Sequence, residues 1–273
     1  MFKKYFHKLQ KKIQKKSQPT NIDKPKKEIN IDLKFDQPNL KNYNLKIITS
    51  YDENFNEIGK ITSKSIFEYS KKYNFDCEIL KMPSTGRPQS WNKIKLIKDE
   101  ISKKKNEFIM WIDADAFFAK QARNILSVIE DNKEIFIINH YCALHKGSNF
   151  KNTILTINRI NCGVMIFKAS EFSVNFLEKI WNMEKYIKHV WWEQAAIMDL
   201  IGLKAEITGN LNDNEGDEYY LNKIKFLPKE WNTIPSFSEI SSESIDPSII
   251  HLAGIDNKKR LKFLDDYKKK GKL

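Results

Sequence analysis

The order of apolar and polar positions divides the chain into two regions. Residues 1–16, MFKKYFHKLQKKIQKK, set Phe2, Phe6, Leu9 and Ile13 at helical spacing with Lys on the remaining faces. That pattern suits a short basic amphipathic helix lying on an anionic membrane surface. It equally suits a solvated, solubilising tail. Residues 17–44 are polar, contain Pro19, Pro25 and Pro38, and read as a linker. At Leu45 the pattern changes. LKIITSY predicts a strand. Residues 57–73 predict a helix with Ile58, Ile61, Ile66, Phe67 and Tyr69 inward. FDCEIL (75–80) predicts a second strand, and residues 90–105 a helix opened by Ser90 as its cap. FIMWID (108–113) predicts a third strand, residues 120–132 a helix, and EIFIINHY (134–141) another strand. CGVMIFK (162–168) is a strand followed by a helix from Ser170 to about Met183, and residues 191–201 are helical. KAEIT, KIKFLP and SIIHLAG read as short strands. Strands alternating with helices predict an α/β fold whose sheet is parallel at least in its first half.

Charge refines this picture more than composition does. The formal net charge is +12, yet residues 1–28 carry +8 and residues 258–273 carry +6, so the middle is slightly acidic. The basic character therefore belongs to the ends. Only Arg87, Arg123, Arg159 and Arg260 accompany the many lysines. Arg is the usual residue for bidentate phosphate and base-edge contacts, so its scarcity argues against sequence-specific nucleic-acid recognition. Cys77, Cys142 and Cys162 are odd in number, widely spaced and outside any CxxC, which predicts buried thiols in a reducing compartment. No run of 18 apolar residues predicts a membrane span, and the start lacks the apolar stretch of a signal peptide.

The chemistry concentrates where the third strand ends. In WIDADA, Asp113 and Asp115 flank the small Ala114 directly after an apolar run. Open α/β sheets bind ligands at the carboxyl ends of their strands. Alternate residues of an extended segment project to one side, so both carboxylates could converge on one hard cation. Mn²⁺ or Mg²⁺ bound by one or two carboxylates plus substrate phosphates fits that pattern. A solvated acidic turn is the plainer reading of D-x-D. Downstream, RINCGVMIFKASEFS reads as a loop entering a strand, with Asn161 and Gly163 allowing close backbone approach. In WWEQAAIMDL, Glu193 and Gln194 open a mostly apolar helix and could face a cleft, although a helix N-terminus favours Glu by its dipole alone. His251 follows an apolar strand in IIHLAG. It is either a structural histidine or a third ligand for Mn²⁺.

In order, W-x-K-I, W-I-D-A-D-A, N-x-G-V-x-I, E-Q-x-A and H-x-A-G resemble a retaining glycosyltransferase of GT-A fold. The likeness is to the galactosyl/mannosyl-transferase family that holds fungal α-galactosyltransferases, mannan-polymerase subunits and plant xyloglucan xylosyltransferases. The resemblance spans residues 45 to 258. It implies a Rossmann-like, mixed central sheet flanked by helices, and a nucleotide-diphosphate sugar, a UDP-sugar in the first instance, as donor to a glycan or other hydroxyl acceptor. It implies Asp115 and His251 as Mn²⁺ ligands, with Asp113 on the ribose or the metal. Ser50, Tyr51, Trp91, Lys93 and Ala114 would line the nucleotide. Asn161 and Gly163 would lie near acceptor and sugar, and Glu193 and Gln194 near the transferred sugar, with Glu replacing the family's Asp. Lys258 takes the place of the lysine that grips the diphosphate, in a different register. Domain limits follow as a tail and linker over 1–44, the transferase domain over 45–258 and a basic tail over 259–273. Secretory members of the family carry an N-terminal anchor; the basic start here points instead to a cytoplasmic enzyme held at a membrane surface.

A cation on Asp115 and His251, with Lys258 nearby, would stabilise the departing diphosphate. A front-face route needs no strong protein base, whereas double displacement would use Glu193 as nucleophile. Three other readings compete, one of them a non-catalytic relative that keeps the fold, against which the intact D-x-D and His251 argue. A nucleic-acid-binding protein would keep its affinity once both basic ends are deleted. A metal-dependent hydrolase or nucleotidyltransferase would need a phosphate loop or second acidic cluster that the sequence does not display.

Overall fold

The computed structural model of the chain describes residues 41–145, 154–203, 216–235 and 246–273. The amphipathic stretch, nearly all of the linker and the KAEIT strand lie outside the described residues. Asn39–Leu273 forms a single unit.

Six strands make the central sheet in the order β2-β1-β3-β6-β5-β7. They are β1 (Leu45–Thr49), β2 (Asp76–Ile79), β3 (Phe108–Ile112), β5 (Ile135–His145), β6 (Ile154–Lys168) and β7 (Ile224–Leu227). β1 pairs in parallel with β2 and β3, as the alternating pattern predicts. Beyond β3 the sheet becomes mixed: β6 runs antiparallel to β3 and β5, and β7 is parallel to β5. A small second sheet pairs β4 (Ala116–Phe118) with β8 (Ile249–His251), antiparallel.

The sheet is covered on both faces, which explains why its strands read as nearly unbroken apolar runs. β3 shows the division. Ile109 and Trp111 face a core shared with α2 (Asn92–Ser102), α3 (Glu171–Trp181) and α4 (Trp192–Leu200). Phe108, Met110 and Ile112 face the opposite core, built with Ile66 and Tyr69 of α1 (Asn56–Tyr73) and with Ile249 of β8. A short α5 (Glu218–Leu221) precedes β7, and α6 (Asn257–Lys269) closes the chain.

Several expectations are corrected. Residues 120–132 form no α-helix. They contain only a 3-10 turn at Ile125–Val128, because Asn124 and Ile129 are extended and the Tyr69 hydroxyl ties down the segment. That hydroxyl accepts from Ile125 N and donates to Arg123 O. α2 starts two residues late: a 3-10 turn at Gln89–Trp91 follows Pro88, and Ser90 caps nothing. On α1, Phe67 is exposed and Ile61 only half-buried. The loop expected around Asn161 is strand, since β6 begins at Ile154. α6 runs through position 258 and packs on the domain through Leu264 and an edge contact of Tyr267 with Phe117.

Candidate active site

The site forms where β3 ends. Ala114 and Asp115 lie in a turn closed by Ala116 N donating to Asp113 O at 2.9 Å, and β4 begins at once. The carboxylates are therefore brought together by a turn rather than by alternation along an extended segment. Thr62 on α1 braces that turn by donating its hydroxyl to Ala114 O at 2.8 Å.

β6 supplies the second wall. Its register against β5 jumps from Ile137–Met165 to Ile138–Asn161, so residues 162–164 have no partner in β5. Such a bulge bends the strand and re-aims its residues. Here it presents Gly163 to the site: Asp113 N donates to Gly163 O at 2.8 Å. The third wall is β8, paired with β4 so that His251 stands opposite Ala116. A Cβ on Gly163 would lie 2.1 Å from His251 Cε1, so the imidazole rests where any larger residue would put its side chain.

Asp113, Asp115 and His251 each offer one ligand atom, and these atoms lie within 4.8 Å of one another. His251 Nε2 is 3.3 Å from Asp115 Oδ1 and 3.9 Å from Asp113 Oδ2. Two carboxylates and an imidazole form a donor set that suits Mn²⁺ and tolerates Mg²⁺.

The protein also supplies its own cations. Lys93, on α2 and buried, donates to Asp113 Oδ1 at 2.7 Å, lies 3.1 Å from Glu193 Oε1 and reaches Cys162 O at 3.3 Å. Trp111 Nε1 donates to the same Asp113 Oδ1 at 2.6 Å. Asp113 thus uses one oxygen inward and keeps Oδ2 for the site. Burial alone would lower the Lys93 pKa, but Asp113 and Glu193 reverse that and hold the ammonium well above the usual lysine range. Burial raises the Glu193 carboxyl above the usual range, with Lys93 opposing and Asp113 adding to the rise. Glu193 Oε2 is buried and has no hydrogen-bond partner among the described residues. Asp115 receives Arg260 from α6: Nε at 3.0 Å and Nη2 at 2.9 Å from Oδ2. Burial would raise the Asp115 pKa, but His251 and Arg260 hold it far below the usual carboxylate range.

The structure thus brings together Lys93, Asp113, Ala114, Asp115, Asn161, Gly163, Glu193 and His251. Gln194 lies beside Glu193 at the start of α4 and is buried. Ser50 follows β1, buried, its hydroxyl 3.8 Å from Met82 Sδ. The Tyr51 ring lies against Gly59 of α1, where a Cβ would be 2.4 Å from the ring. Trp91 is fully buried in the core beneath, and Lys258 is exposed on the first turn of α6. Two residues escaped the sequence reading. Arg260 had one usable signal, its rarity among so many lysines. Asn232, fully buried after β7, had none: it holds His251 Nδ1 at 2.9 Å.

Comparison with known proteins fits this geometry. The model of the galactosyl transferase GMA12/MNN10 family matches residues 44–212, which takes in the aspartates and the Glu193–Gln194 pair but ends before His251. Among solved structures, a glycosyltransferase involved in the glycosylation of the major capsid of PBCV-1 is similar with a TM-score of 0.57 and 13% identity, covering 82% of this chain and 99% of that one. The apo structure of the bifunctional glycosyltransferase WbbM gives a TM-score of 0.50 and 14% identity over 82% of this chain and 49% of that one. An active-site mutant of LgtC gives 0.50 and 11%, over 81% of this chain and 95% of that one. At such identities these likenesses establish the fold, a GT-A glycosyltransferase fold. No curated protein matches the chain.

Proposed function

Because the chain belongs to the galactosyl transferase GMA12/MNN10 family, and is a glycosyltransferase on that ground, we propose that it is a divalent-metal-dependent, retaining enzyme. It moves a hexose or pentose from a nucleotide-diphosphate sugar, a UDP-sugar in the first instance, to a hydroxyl of a glycan acceptor. The observation that carries this reading is the convergence of Asp113, Asp115 and His251 within 4.8 Å at the carboxyl end of β3. Asp115, His251 and Asp113 Oδ2 are the ligands we assign to Mn²⁺. When bound, the ion supplies Lewis-acid stabilisation of the diphosphate as its charge develops.

The chain's own groups take the other roles. Lys93 holds Asp113 Oδ1 turned inward. Arg260 stands beside the metal ligands and is our candidate for the cation that meets the leaving diphosphate, in place of the exposed Lys258. Glu193 makes a poor nucleophile: it is 3% exposed, held by Lys93 at 3.1 Å, and shifted toward its neutral form. Its unpartnered Oε2 suits a sugar hydroxyl that donates to it. A buried acceptor left empty costs about 1–3 kcal/mol, which a substrate lacking that hydroxyl would forfeit. This favours the front-face route, in which the leaving phosphate oxygen takes the acceptor's proton.

Purified protein incubated with UDP- and GDP-sugars and Mn²⁺ should release nucleoside diphosphate from one donor and form an axial or equatorial product matching that donor. NMR of the anomeric proton reads the configuration. Failure of every donor to turn over, or an inverted product, overturns this reading. Among the described residues no helix is long and apolar enough to cross a membrane. We further propose that residues 1–16 hold the enzyme on the cytoplasmic face of an anionic membrane. Sedimentation with anionic but not neutral vesicles, abolished by deleting 1–16, is the expected result.

A further inference from the structure

We infer that Asn232 and Asn161 are positioning residues that decide which nitrogen of His251 faces the metal ligands. This rests on the metal-binding reading above for its consequence, although not for its geometry.

One group in the cluster has a fixed role. The backbone N–H of Gly163 can only donate, and it meets the Asn161 side-chain amide at 2.9 Å, so the atom there is the oxygen, Oδ1. The amide of Asn232 meets the same oxygen at 2.8 Å. An oxygen would repel it, so Asn232 turns its Nδ2 that way. The other atom of the Asn232 amide, Oδ1, must then face His251 Nδ1, which it does at 2.9 Å. Oδ1 accepts only, so Nδ1 carries a proton. Nε2 is left as the nitrogen that points to Asp115 and Asp113. One backbone amide thus sets the tautomer of a histidine 88 residues away, through two side chains that the sequence separates by 71 positions.

The surroundings leave little freedom for the ring to escape this arrangement. Gly163 presses on one face, since a Cβ there would be 2.5 Å from Nδ1. Asn232 is fully buried. It also travels with the strand that carries His251: Thr233, the next residue, receives His251 N at 2.8 Å and donates its own N to Ile249 O at 2.8 Å. Groups that hold the outer nitrogen of a ligand histidine fix its tautomer and ring orientation, and their loss typically costs 10–100-fold in metal affinity. Asn161 is thereby given a different role from the one its family resemblance suggests. Its side-chain oxygen is used twice within the protein.

The test separates the relay from the metal. Protein labelled with ¹⁵N at its five histidines, free of metal and above the imidazole titration range, is observed by long-range ¹H–¹⁵N correlation. His251→Gln identifies the resonances of His251. Wild type should show His251 as the Nδ1–H tautomer. Asn232→Leu, similar in size but without an acceptor, should give a mixture of tautomers. Asn232→Asp combined with Asn161→Ala, which keeps an acceptor toward Nδ1 and removes the oxygen that would repel the second carboxylate oxygen, should restore the Nδ1–H form. Mn²⁺ affinity, read from the free-ion electron paramagnetic resonance signal on addition of MnCl₂, should fall about 10–100-fold in Asn232→Leu and stay within about threefold of wild type in the Asn232→Asp, Asn161→Ala double variant. Should the leucine variant fail to fold, Asn161→Ala, which removes the anchor of the relay, gives the same readouts. An unchanged Nδ1–H signal with Mn²⁺ affinity within twofold in these variants overturns the proposal. Absence of Mn²⁺ binding by wild type would sink the metal reading instead, and the tautomer measurement would still decide the relay.

Discussion

Replacing Lys93 by Met tests the electrostatic frame of the site. Lys93 Nζ sits 2.7 Å from Asp113 and 3.1 Å from Glu193, and among the described residues no other lysine or arginine lies within 4 Å of either carboxylate. At an effective dielectric constant of about 20, each pair attracts by roughly 5–6 kcal/mol. The desolvation of buried Lys93 and Glu193 and of half-buried Asp113 offsets several kcal/mol of that. Removing the shared cation therefore leaves two carboxylates beside one another, and the expected loss is about 3–5 kcal/mol. Glu193 offers a partial escape, because it can take up a proton. Its folded pKa is already raised, so its stabilising form is fully present below the unfolded value and is lost as pH rises through the folded one. Without Lys93 that pKa rises further, and the deficit of the variant must grow from pH 5 to pH 8. Lys93 does not titrate in this window: its raised pKa means its contribution persists until pH passes well above the lysine range. Urea unfolding of metal-free protein, followed by tryptophan fluorescence at both pH values, measures the effect. Adding Glu193→Gln to the Lys93→Met chain should recover part of the loss at pH 8 and little at pH 5. A deficit below about 1 kcal/mol that does not change with pH would refute the shared-cation account.

The other expectations concern single groups. Arg260→Met should lower turnover by about 10²–10³-fold, as loss of one transition-state donor does, while Lys258→Met stays within about threefold; equal effects in nucleotide-release assays would contradict the assignment. Gly163→Ala must displace the imidazole that a Cβ would meet at 2.1 Å. It should cost about 1–3 kcal/mol in thermal unfolding and weaken Mn²⁺ binding, and a variant as stable as wild type with intact binding would show that the ring has room. Asp115 has a depressed folded pKa, so its contribution is present above the unfolded value near about 3.9 and lost as pH falls toward the folded one. In metal-free protein, Asp115→Asn should be less stable at pH 7, with the gap closing toward pH 3; a pH-independent gap would assign the loss to packing.

The sequence by itself determined the parts whose signal is local. Largely apolar runs bounded by polar turns marked β1, β3, β5 and β6, because strands covered on both faces bury most of their side chains. The aspartates were legible because two acids directly after such a run are costly without partners. Gly163, Glu193 and His251 were legible through short motifs that keep their order along the chain. Tertiary structure decided what depends on distant residues meeting. The 120–132 segment has helical composition, yet Tyr69 from α1 holds it in a single 3-10 turn. The carboxylates converge through a turn and a neighbouring strand, not through period-2 alternation. Their charge is met from α2 by Lys93 and from α6 by Arg260, positions 20 and 145 residues away from their partners. Asn232 was invisible, because an asparagine becomes a positioning group only when folding seals it between one particular amide and one particular imidazole. Periodicity reports which face of an element is buried; it carries no information about which buried polar groups will find one another.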